Sequence, residues 1–246
     1  MALSYRIEGQ GPPLVLFHGW GVTFSIWEYL APLLSPYYTL IMLEMPGNGS
    51  SPLPPAGMNY YEAAAYACED LRSELGIAQW AVLGYSIGAW GACWYANCYP
   101  EHTTHIVLIC PLILQPMSGV GLSLLGALDT LYPPLGNWLL SGWRIQRLIQ
   151  LLGFNGRPHP YAELWFTNVS SQPMQILKTT LYDLAKTRHT EFTLPDKPAV
   201  FIWGKKDVLA IPPRRPGLQD ILIAGNHSVP MLQAEQVADI IRQLLH

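Results

Sequence analysis

The sequence predicts an α/β fold with a mostly parallel central sheet, helices on both faces and an inserted helical cap. Short apolar runs alternate with helix-like segments over residues 1–110 and resume over 196–246, and such alternation is typical of parallel sheets. Residues 111–195 contain no strand-like run. The 246 residues are enough for one such core with an insertion.

Seven strands are predicted from the apolar runs. The first alternates polar and apolar residues, which indicates a strand near the sheet edge, whereas most of the others are continuous apolar runs of the kind buried in parallel sheets. The predicted strands are residues 4–8, 14–17, 38–43, 80–83, 106–109, 199–203 and 220–223. Because parallel strands end at one edge of the sheet, the loops after them share one crevice.

The predicted core helices lie between and after these strands. They are residues 25–34, 60–75, 89 to about 99, and 234–245. The first places Trp27, Leu30 and Leu34 on one face, and the second stops at Gly76. The last is amphipathic, so it is expected to cover the sheet with its apolar side.

Residues 111–195 are predicted to form the helical cap over the sheet. Trp138, Trp143 and Trp165 occur there in helix-like patterns, together with many leucines. Residues 112–128 are apolar enough to suggest a membrane span, but polar residues, proline and glycines interrupt them before ~20 positions are covered. We expect part of the cap to line the entrance to a site; the alternative is that its apolar residues only seal it onto the core.

Composition excludes several classes of function. The net charge is −3 with no basic run, so nucleic-acid binding is not expected. The first six residues lack the apolar core of a signal peptide, which predicts a cytoplasmic protein. The four cysteines show no C-x-x-C spacing and are interpreted as reduced core residues rather than a metal site. They are Cys68, Cys93, Cys98 and Cys110. The chain is predicted to be a monomer or a small homo-oligomer.

The pattern G-x-S-x-G at Gly84–Gly88 is the strongest functional signal. An apolar run precedes it and a helix-like segment begins at Ala89. A serine on such a sharp strand-to-helix turn is held in a strained backbone conformation with its hydroxyl raised above the sheet edge, and the flanking glycines let the neighbouring backbone pass closely. The pattern also occurs by chance in Gly/Ser-rich loops, so its place between strand and helix carries the prediction.

A serine nucleophile needs a base and an acid that orients the base. Asp207 lies just past the strand at 199–203, and His227 lies just past the strand at 220–223. The chain order Ser86, Asp207, His227 is expected when later loops at the same sheet edge complete the site. Alone, such an aspartate is more often a turn residue and such a histidine a surface residue, so the prediction depends on the conjunction.

Acyl transfer also needs hydrogen-bond donors for the oxyanion. The backbone N–H of Ile87, at the start of the following helix, is one predicted donor. The N–H of Trp20 is the other, because Gly19 and Gly21 leave the backbone free to aim it inward. His18 is predicted to orient this loop by hydrogen bonding rather than to act as a catalyst.

These motifs, with the loops at 44–51, 204–207 and 226–227, resemble the α/β-hydrolase superfamily over nearly the whole chain except the cap. Within it the chain is similar to small bacterial carboxylesterases, such as pimeloyl-ACP methyl ester esterases, and to meta-cleavage-product hydrolases. The resemblance implies a cofactor-free hydrolase with an acyl-enzyme or water-attack mechanism, and the expected partner is a small-molecule ester substrate. Three positions depart from the usual pattern. After the elbow, Ala89 and Trp90 follow Gly88 where relatives commonly have a second glycine. Glu44 replaces an aspartate that is structural in relatives, and Asn226 replaces a glycine, where tolerance of positive φ is expected to preserve the turn.

Three functions remain open on the sequence. The first is a serine esterase for esters with an apolar acyl or alcohol part, and the second is cleavage of a carbon–carbon, thioester or lactone bond by the same triad. The third is a slow ligand-sensing member. Haloalkane dehalogenases and epoxide hydrolases are disfavoured. They resemble this fold, but they have Asp at the position that Ser86 occupies in this chain. Arg144, Arg147 and Arg157 either contact an anionic substrate or carrier protein, or only solvate the cap.

Overall fold

One sheet of seven strands organises the computed structural model, in which residues 1–112, 127, 129, 131–154, 156–186, 194–214, 216–217 and 219–245 are described. The strands are β1 Tyr5–Glu8, β2 Pro13–Phe17, β3 Thr39–Leu43, β4 Trp80–Tyr85, β5 Thr103–Ile109, β6 Ala199–Gly204 and β7 Asp220–Ile223. Their order in the sheet is β1-β3-β2-β4-β5-β6-β7. Only β1 pairs in an antiparallel sense, at one edge with β3, so the predicted mostly parallel sheet is confirmed.

The core helices follow the strands. They are α1 Ala31–Leu34, α2 Tyr60–Glu74, α3 Gly88–Cys98, and, after β7, α8 Val229–Leu232 and α9 Ala234–Leu244. The predicted helix over 25–34 was wrong, because a 3-10 turn at Phe24–Trp27 precedes the single turn of α1. Pro32 has no N–H to donate to residue 28, so one continuous helix is not available.

Both faces of the sheet are covered, because successive strand residues point to opposite sides. On β2, Leu14 and Leu16 join the cluster that includes α1 and α9. Val15 and Phe17 join the other cluster, with residues of α2 and α3. All four side chains are fully buried. This two-sided burial explains why the parallel strands read as continuous apolar runs rather than as alternating ones.

The segment between β5 and β6 is helical wherever it is described as regular structure. Its helices are α4 Pro133–Leu139, α5 Gly142–Phe154, α6 Pro160–Ser171 and α7 Met174–Lys186. Cap boundaries at 111 and 195 stay a prediction. The apolar stretch 112–128 lies mostly outside the described residues; within the described part of the chain, no helix is long and apolar enough to cross a membrane.

Hydrogen bonds hold these helices against the core, and two of them involve Trp20 in the loop after β2. The indole Nε1 of Trp20 donates to the carbonyl of Leu177 on α7 at 2.9 Å, and Nε1 of Trp165 on α6 donates back to the carbonyl of Trp20 at 3.1 Å. The hydroxyl of Tyr61 on α2 donates to the carbonyl of Thr180 at 2.9 Å. The helices therefore have a fixed position above the ends of the strands.

Candidate active site

Ser86 occupies the turn between β4 and α3. It is buried and has φ +55°, one of two non-glycine residues at positive φ in the described chain. A Cβ on Gly84 would lie 2.5 Å from Cα of Ala89, and a Cβ on Gly88 would overlap the carbonyl oxygens of Phe17 and His18. The two glycines thus allow the close backbone passage that the turn requires, as the sequence predicted.

The structure brings Ser86, His227 and Asp207 together in one row. His227 Nε2 lies 2.9 Å from Ser86 Oγ, and His227 Nδ1 lies 2.8 Å from Asp207 Oδ2. The side chains of His227 and Asp207 are 1% and 0% exposed. Each residue follows a parallel strand, β4, β6 or β7, so the shared sheet edge explains how positions more than a hundred residues apart meet.

Asp207 is held by its own loop as well as by the histidine. Its second oxygen, Oδ1, accepts backbone N–H bonds from Leu209 at 2.8 Å and Ala210 at 2.9 Å. An ionised carboxylate is purely an acceptor, and three donors fix its plane. The turn that follows β6 therefore presents the carboxylate to His227 in a single orientation.

His227 is clamped between the core and the helices above it. The hydroxyl of Tyr85 donates to the carbonyl of His227 at 3.0 Å, and the Trp165 ring stacks near the imidazole at 6.4 Å between centroids. The next residue, Ser228, donates its hydroxyl to the carbonyl of Gly153 on α5 at 2.9 Å. The histidine ring consequently has little freedom to leave the row.

The expected backbone role of Asn226 was wrong. Positive φ is found at Gly225, with φ +148°, and not at Asn226. The Asn226 side chain instead accepts a hydrogen bond from the N–H of Ser228 at 3.0 Å. It therefore stabilises the turn around His227 as an Asx-turn residue does, a side-chain role that glycine lacks.

The two predicted oxyanion donors border the same cavity as Ser86. Ile87 immediately precedes α3, where the first N–H groups of a helix have no partner within it. The peptide that carries the Trp20 N–H is held by His18 Nδ1, which donates to the Gly19 carbonyl at 2.8 Å. The role of both N–H groups as oxyanion donors stays a prediction.

His18 orients the loops around the site through both ring nitrogens. Nδ1 donates to the carbonyl of Gly19 at 2.8 Å, and Nε2 accepts the N–H of Met45 at 2.9 Å. Burial lowers the pKa of His18 from 6.5 to about 4, partly opposed by the bond to Gly19. The neutral ring thus joins the loop after β2 to the loop after β3, in agreement with the orienting role predicted for it.

Glu44 has a structural position in the loop after β3. It is buried, its Oε2 accepts the N–H of Ser50 at 2.7 Å, and its carbonyl accepts the hydroxyl of Ser51 at 2.5 Å. The longer side chain still closes the loop on itself, so replacing aspartate with glutamate at this position keeps the fold of the loop.

A cavity of about 340 Å³ opens above Ser86. Apart from Ser86 and His227, its described lining is apolar or aromatic, and comes from Trp20, Ile87, Leu112, Leu140, Ile145, Leu148, Ile149, Leu152, Trp165, Leu181, Leu184 and Leu209. Eight of these belong to α4 to α7 or the turns between them. Of the three tryptophans singled out there, only Trp165 is a lining residue, whereas Trp138 and Trp143 are 53% and 66% exposed.

Sequence reasoning missed Cys110, which follows β5 beside Asp207. It is fully buried, has φ +46°, and its sulfur lies within 4.8 Å of the Asp207 carboxylate. Burial, together with the nearby carboxylate, raises the pKa of this thiol well above its usual range. The only available signal was that Cys110 follows a parallel strand, as Asp207 and His227 do. Cys98, by contrast, is exposed and not a core residue.

Cys110, Asp207 and His227 are also the described residues best placed to hold a metal ion, with ligand atoms within 4.8 Å of one another. Their chemistry does not suit one. A metal needs the thiolate form of cysteine, which burial here disfavours, and His227 Nδ1 and Asp207 Oδ2 already face each other at 2.8 Å. We therefore interpret the group as the hydrogen-bonded pair of Asp207 and His227 with the Cys110 thiol beside it.

A serine on a strand–turn–helix elbow, with histidine and aspartate on later loops of one parallel sheet, defines the class of α/β proteins with a nucleophile elbow. The chain belongs to the alpha/beta hydrolase fold family, whose family model matches residues 12–214.

The proteins that this chain resembles differ in sequence identity and in how much of the chain they cover. A pimeloyl-[acyl-carrier protein] methyl ester esterase of Photobacterium profundum is 35% identical over 114 residues, which is 44% of this chain and 40% of the relative. A thermophilic esterase from Thermogutta terrifontis aligns with a TM-score of 0.78 at 20% identity, over 99% of this chain and 92% of its own. A meta-cleavage product hydrolase aligns with a TM-score of 0.72 at 18% identity, over 99% and 94%. The solved structures show the shared fold alone.

Proposed function

We propose that the chain is a serine esterase that cleaves carboxylic esters through an acyl-enzyme. In this mechanism His227 Nε2 accepts the Ser86 proton as Oγ attacks the ester carbonyl, and Asp207 holds the Nδ1–H tautomer and stabilises the imidazolium. The N–H groups of Ile87 and Trp20 donate to the oxyanion. His227 then protonates the departing alcohol and activates the water that releases the acid.

One observation carries this proposal: the row Ser86–His227–Asp207, with bonds of 2.9 and 2.8 Å, lies at the floor of a cavity of suitable size. A nucleophile within hydrogen-bond reach of a base, itself oriented by an acid, is the arrangement that activates a serine hydroxyl. The esterase relatives support ester cleavage, although the aligned stretch covers only 40% of the first of them.

The cavity favours a neutral substrate with an apolar acyl or alcohol part. Among its described lining residues there is no lysine or arginine, so a carboxylate brought inside would lose its hydration without gaining a fixed cationic partner. Arg144, Arg147 and Arg157 are not among those lining residues. We propose that the segment 111–195 is the cap that supplies the apolar wall, and that the enzyme works in the cytoplasm, where its four free cysteines stay reduced.

Replacing Ser86 with Ala tests the proposal directly. Hydrolysis of p-nitrophenyl butyrate should fall by roughly 10³-fold or more, because binding and the oxyanion donors alone would remain. Ser73→Ala, on the exposed face of α2, is the matched control and should keep the full rate. A serine-directed phosphonate should add to Ser86 alone. Full activity of the Ser86→Ala protein, or an adduct on another residue, would remove Ser86 from the mechanism.

The type of bond cleaved is tested with the same protein. Esters, thioesters, lactones and β-diketones of equal carbon number should be compared by kcat/KM, and we expect the esters to be turned over fastest. A higher kcat/KM for any of the other three, abolished by Ser86→Ala, would keep the triad and replace the esterase assignment. Stoichiometric binding of all four without turnover would indicate the ligand-sensing alternative.

A further inference from the structure

Large apolar side chains are exposed unevenly over the molecule. Eight of the fifteen that are exposed in the described residues lie on α4, α5, their flanking residues and the turn after β6. We call these eight residues the apolar face: Leu131, Tyr132, Trp138, Trp143, Leu148, Leu151, Val208 and Ile211. A concentrated exposed patch of this kind marks a site of interaction, whereas single exposed hydrophobic residues need no explanation.

Helix α5 is apolar on two opposite sides. Ile145 and Ile149 are buried toward the cavity, as the inner side of a packed helix requires. Trp143, Arg147 and Leu151 are spaced four residues apart, so they form one outward stripe about 12 Å long. Trp143 is 66% exposed and Leu151 is 61% exposed. Packing against the described residues does not explain that outward stripe.

Arg144 joins α5 to α4 through two indole rings. Its guanidinium carbon lies 4.2 Å from the ring centroid of Trp138 and 5.4 Å from that of Trp143. The cation is thus flanked by aromatic surface. Tryptophan and arginine beside exposed leucines are the side chains enriched where a protein meets the boundary between lipid and water.

The segment that supplies most of the apolar face is positively charged, although the chain is negative overall. Residues 130–162 contain three arginines, no lysine and no aspartate or glutamate, although the whole chain has a net charge of −3. The acid that precedes this stretch, Asp129, is paired with Lys178 at 2.7 Å. The region is therefore complementary to an anionic surface.

The apolar face borders the mouth of the cavity. Leu148 belongs to both, since it lines the cavity and is 41% exposed. Across the cavity, Leu209 is a lining residue, and its near neighbours Val208 and Ile211 are 58% and 55% exposed. A surface seated on this face would consequently lie beside the entrance to Ser86.

We propose that the apolar face docks on the surface of a membrane that contains anionic phospholipids. Trp143 and Leu151 enter the boundary between headgroups and acyl chains, and Arg147 pairs with lipid phosphate. A lipid surface fits better than an acidic protein partner, because eight apolar side chains dominate the face and the Arg144 guanidinium already stacks on two indoles. The docking does not depend on the proposed esterase activity.

Co-sedimentation with vesicles tests the docking. The full chain should bind vesicles of phosphatidylcholine and phosphatidylglycerol more tightly than vesicles of phosphatidylcholine alone, and the difference should shrink at high salt. Trp143→Ser combined with Leu151→Ser, or Arg147→Glu alone, should weaken binding to the mixed vesicles by about tenfold or more. Ile7→Ser and Arg6→Glu, at exposed positions of the edge strand β1, are matched controls and should leave it unchanged.

Two further readouts separate docking from other effects. All variants should hydrolyse water-soluble p-nitrophenyl butyrate at the parent rate, because none of the substituted residues is a described lining residue of the cavity. The proposal is overturned by absence of binding to mixed vesicles, by equal loss in the β1 controls, or by equal affinity for both kinds of vesicle. Binding to poly-glutamate without binding to vesicles would also overturn it and would indicate an acidic protein partner.

Discussion

Cys110 combines a left-handed backbone with a buried thiol beside the Asp207 carboxylate. The thiol is a weak donor, and it lies within 4.8 Å of a carboxylate that already receives the hydrogen bonds of His227, Leu209 and Ala210. A donor beside the carboxylate weakens the pull of Asp207 on the imidazolium that forms in the proposed mechanism. We therefore propose that Cys110 is a positioning residue, which acts on the reaction only through Asp207.

Cys110→Ala should shift the acid limb of the pH profile of kcat/KM to higher pH. Without the thiol donor, Asp207 stabilises the protonated imidazole more strongly, so His227 stays protonated at higher pH and fewer molecules have a free base. Cys110→Ser restores a donor and should restore the limb. A role in packing alone would lower the melting temperature of the alanine variant and leave the limb in place, and that result would contradict the prediction.

His18 makes a separate prediction about stability. Its pKa is about 4 in the folded chain against an ordinary value of 6.5, so the unfolded chain takes up the proton first. The free energy of unfolding should be insensitive to this group above pH 6.5, and fall by up to about 3 kcal/mol as the pH drops to about 4. Urea melts between pH 7.5 and 4.5 on the parent and His18→Gln should show a shallower decline in the variant. Parallel curves for the two proteins would assign the acid lability to other groups.

At the level of single residues, the sequence allowed prediction of side chains marked by both a motif and a place in the fold. Ser86, Asp207 and His227 each follow an apolar strand, so their convergence at one edge could be inferred from topology. Cys110 also follows a strand, yet an apolar cysteine is ordinary in a core and carries no motif. The side-chain bond of Asn226 could not be foreseen either, because it depends on Gly225 taking the unusual φ.

The strands and helices differ in how well the local sequence pattern predicted them. Continuous apolar runs predicted most of the strands to within a few residues, because burial on both faces leaves no room for polar positions. The edge strand β1 was predicted from alternation instead, and its residues are mostly exposed. The helix over 25–34 was wrong, although Trp27, Leu30 and Leu34 are all fully buried as predicted. The periodicity predicted correctly which side chains are buried. It did not predict the break in the helix, which follows from the missing N–H of Pro32.

The elbow between β4 and α3 gives a prediction for a whole element. In Gly88→Ala the new methyl group would meet the carbonyl oxygens of Phe17 and His18, which belong to the backbone of β2 and its loop and cannot rotate away. We expect a loss of about 3 kcal/mol or more in the free energy of unfolding. In the control Gly217→Ala, the atom nearest to the new Cβ would be Asp220 Oδ2, at 3.5 Å. Its stability should change little or rise slightly. If both variants had the same free energy of unfolding as the parent, the close approach of Gly88 to the backbone of Phe17 and His18 would be contradicted.

On the scale of the molecule, the sequence predicted a helical cap without predicting which sides of its helices point inward. Leucine and tryptophan occur on several faces of α5, so periodicity alone could not separate the cavity lining from the exposed stripe. The separation depends on contacts between distant segments, such as the bonds that join Trp20 to α6 and α7. Trp165 is consequently found at the site, and Trp138 and Trp143 are found on the outside.

The cavity between core and cap should set a preference for chain length. Each buried methylene contributes about 0.8 kcal/mol, so kcat/KM for p-nitrophenyl esters should rise severalfold per added pair of carbons until the cavity is filled. Leu152 lines this cavity and its neighbour Leu151 is 61% exposed. Leu152→Trp should therefore move the optimum to shorter acyl chains, whereas Leu151→Trp should leave it in place. Measurement from acetate to decanoate decides the matter: a steady decline from acetate onward in the parent enzyme would mean that the cap closes the site instead of extending it.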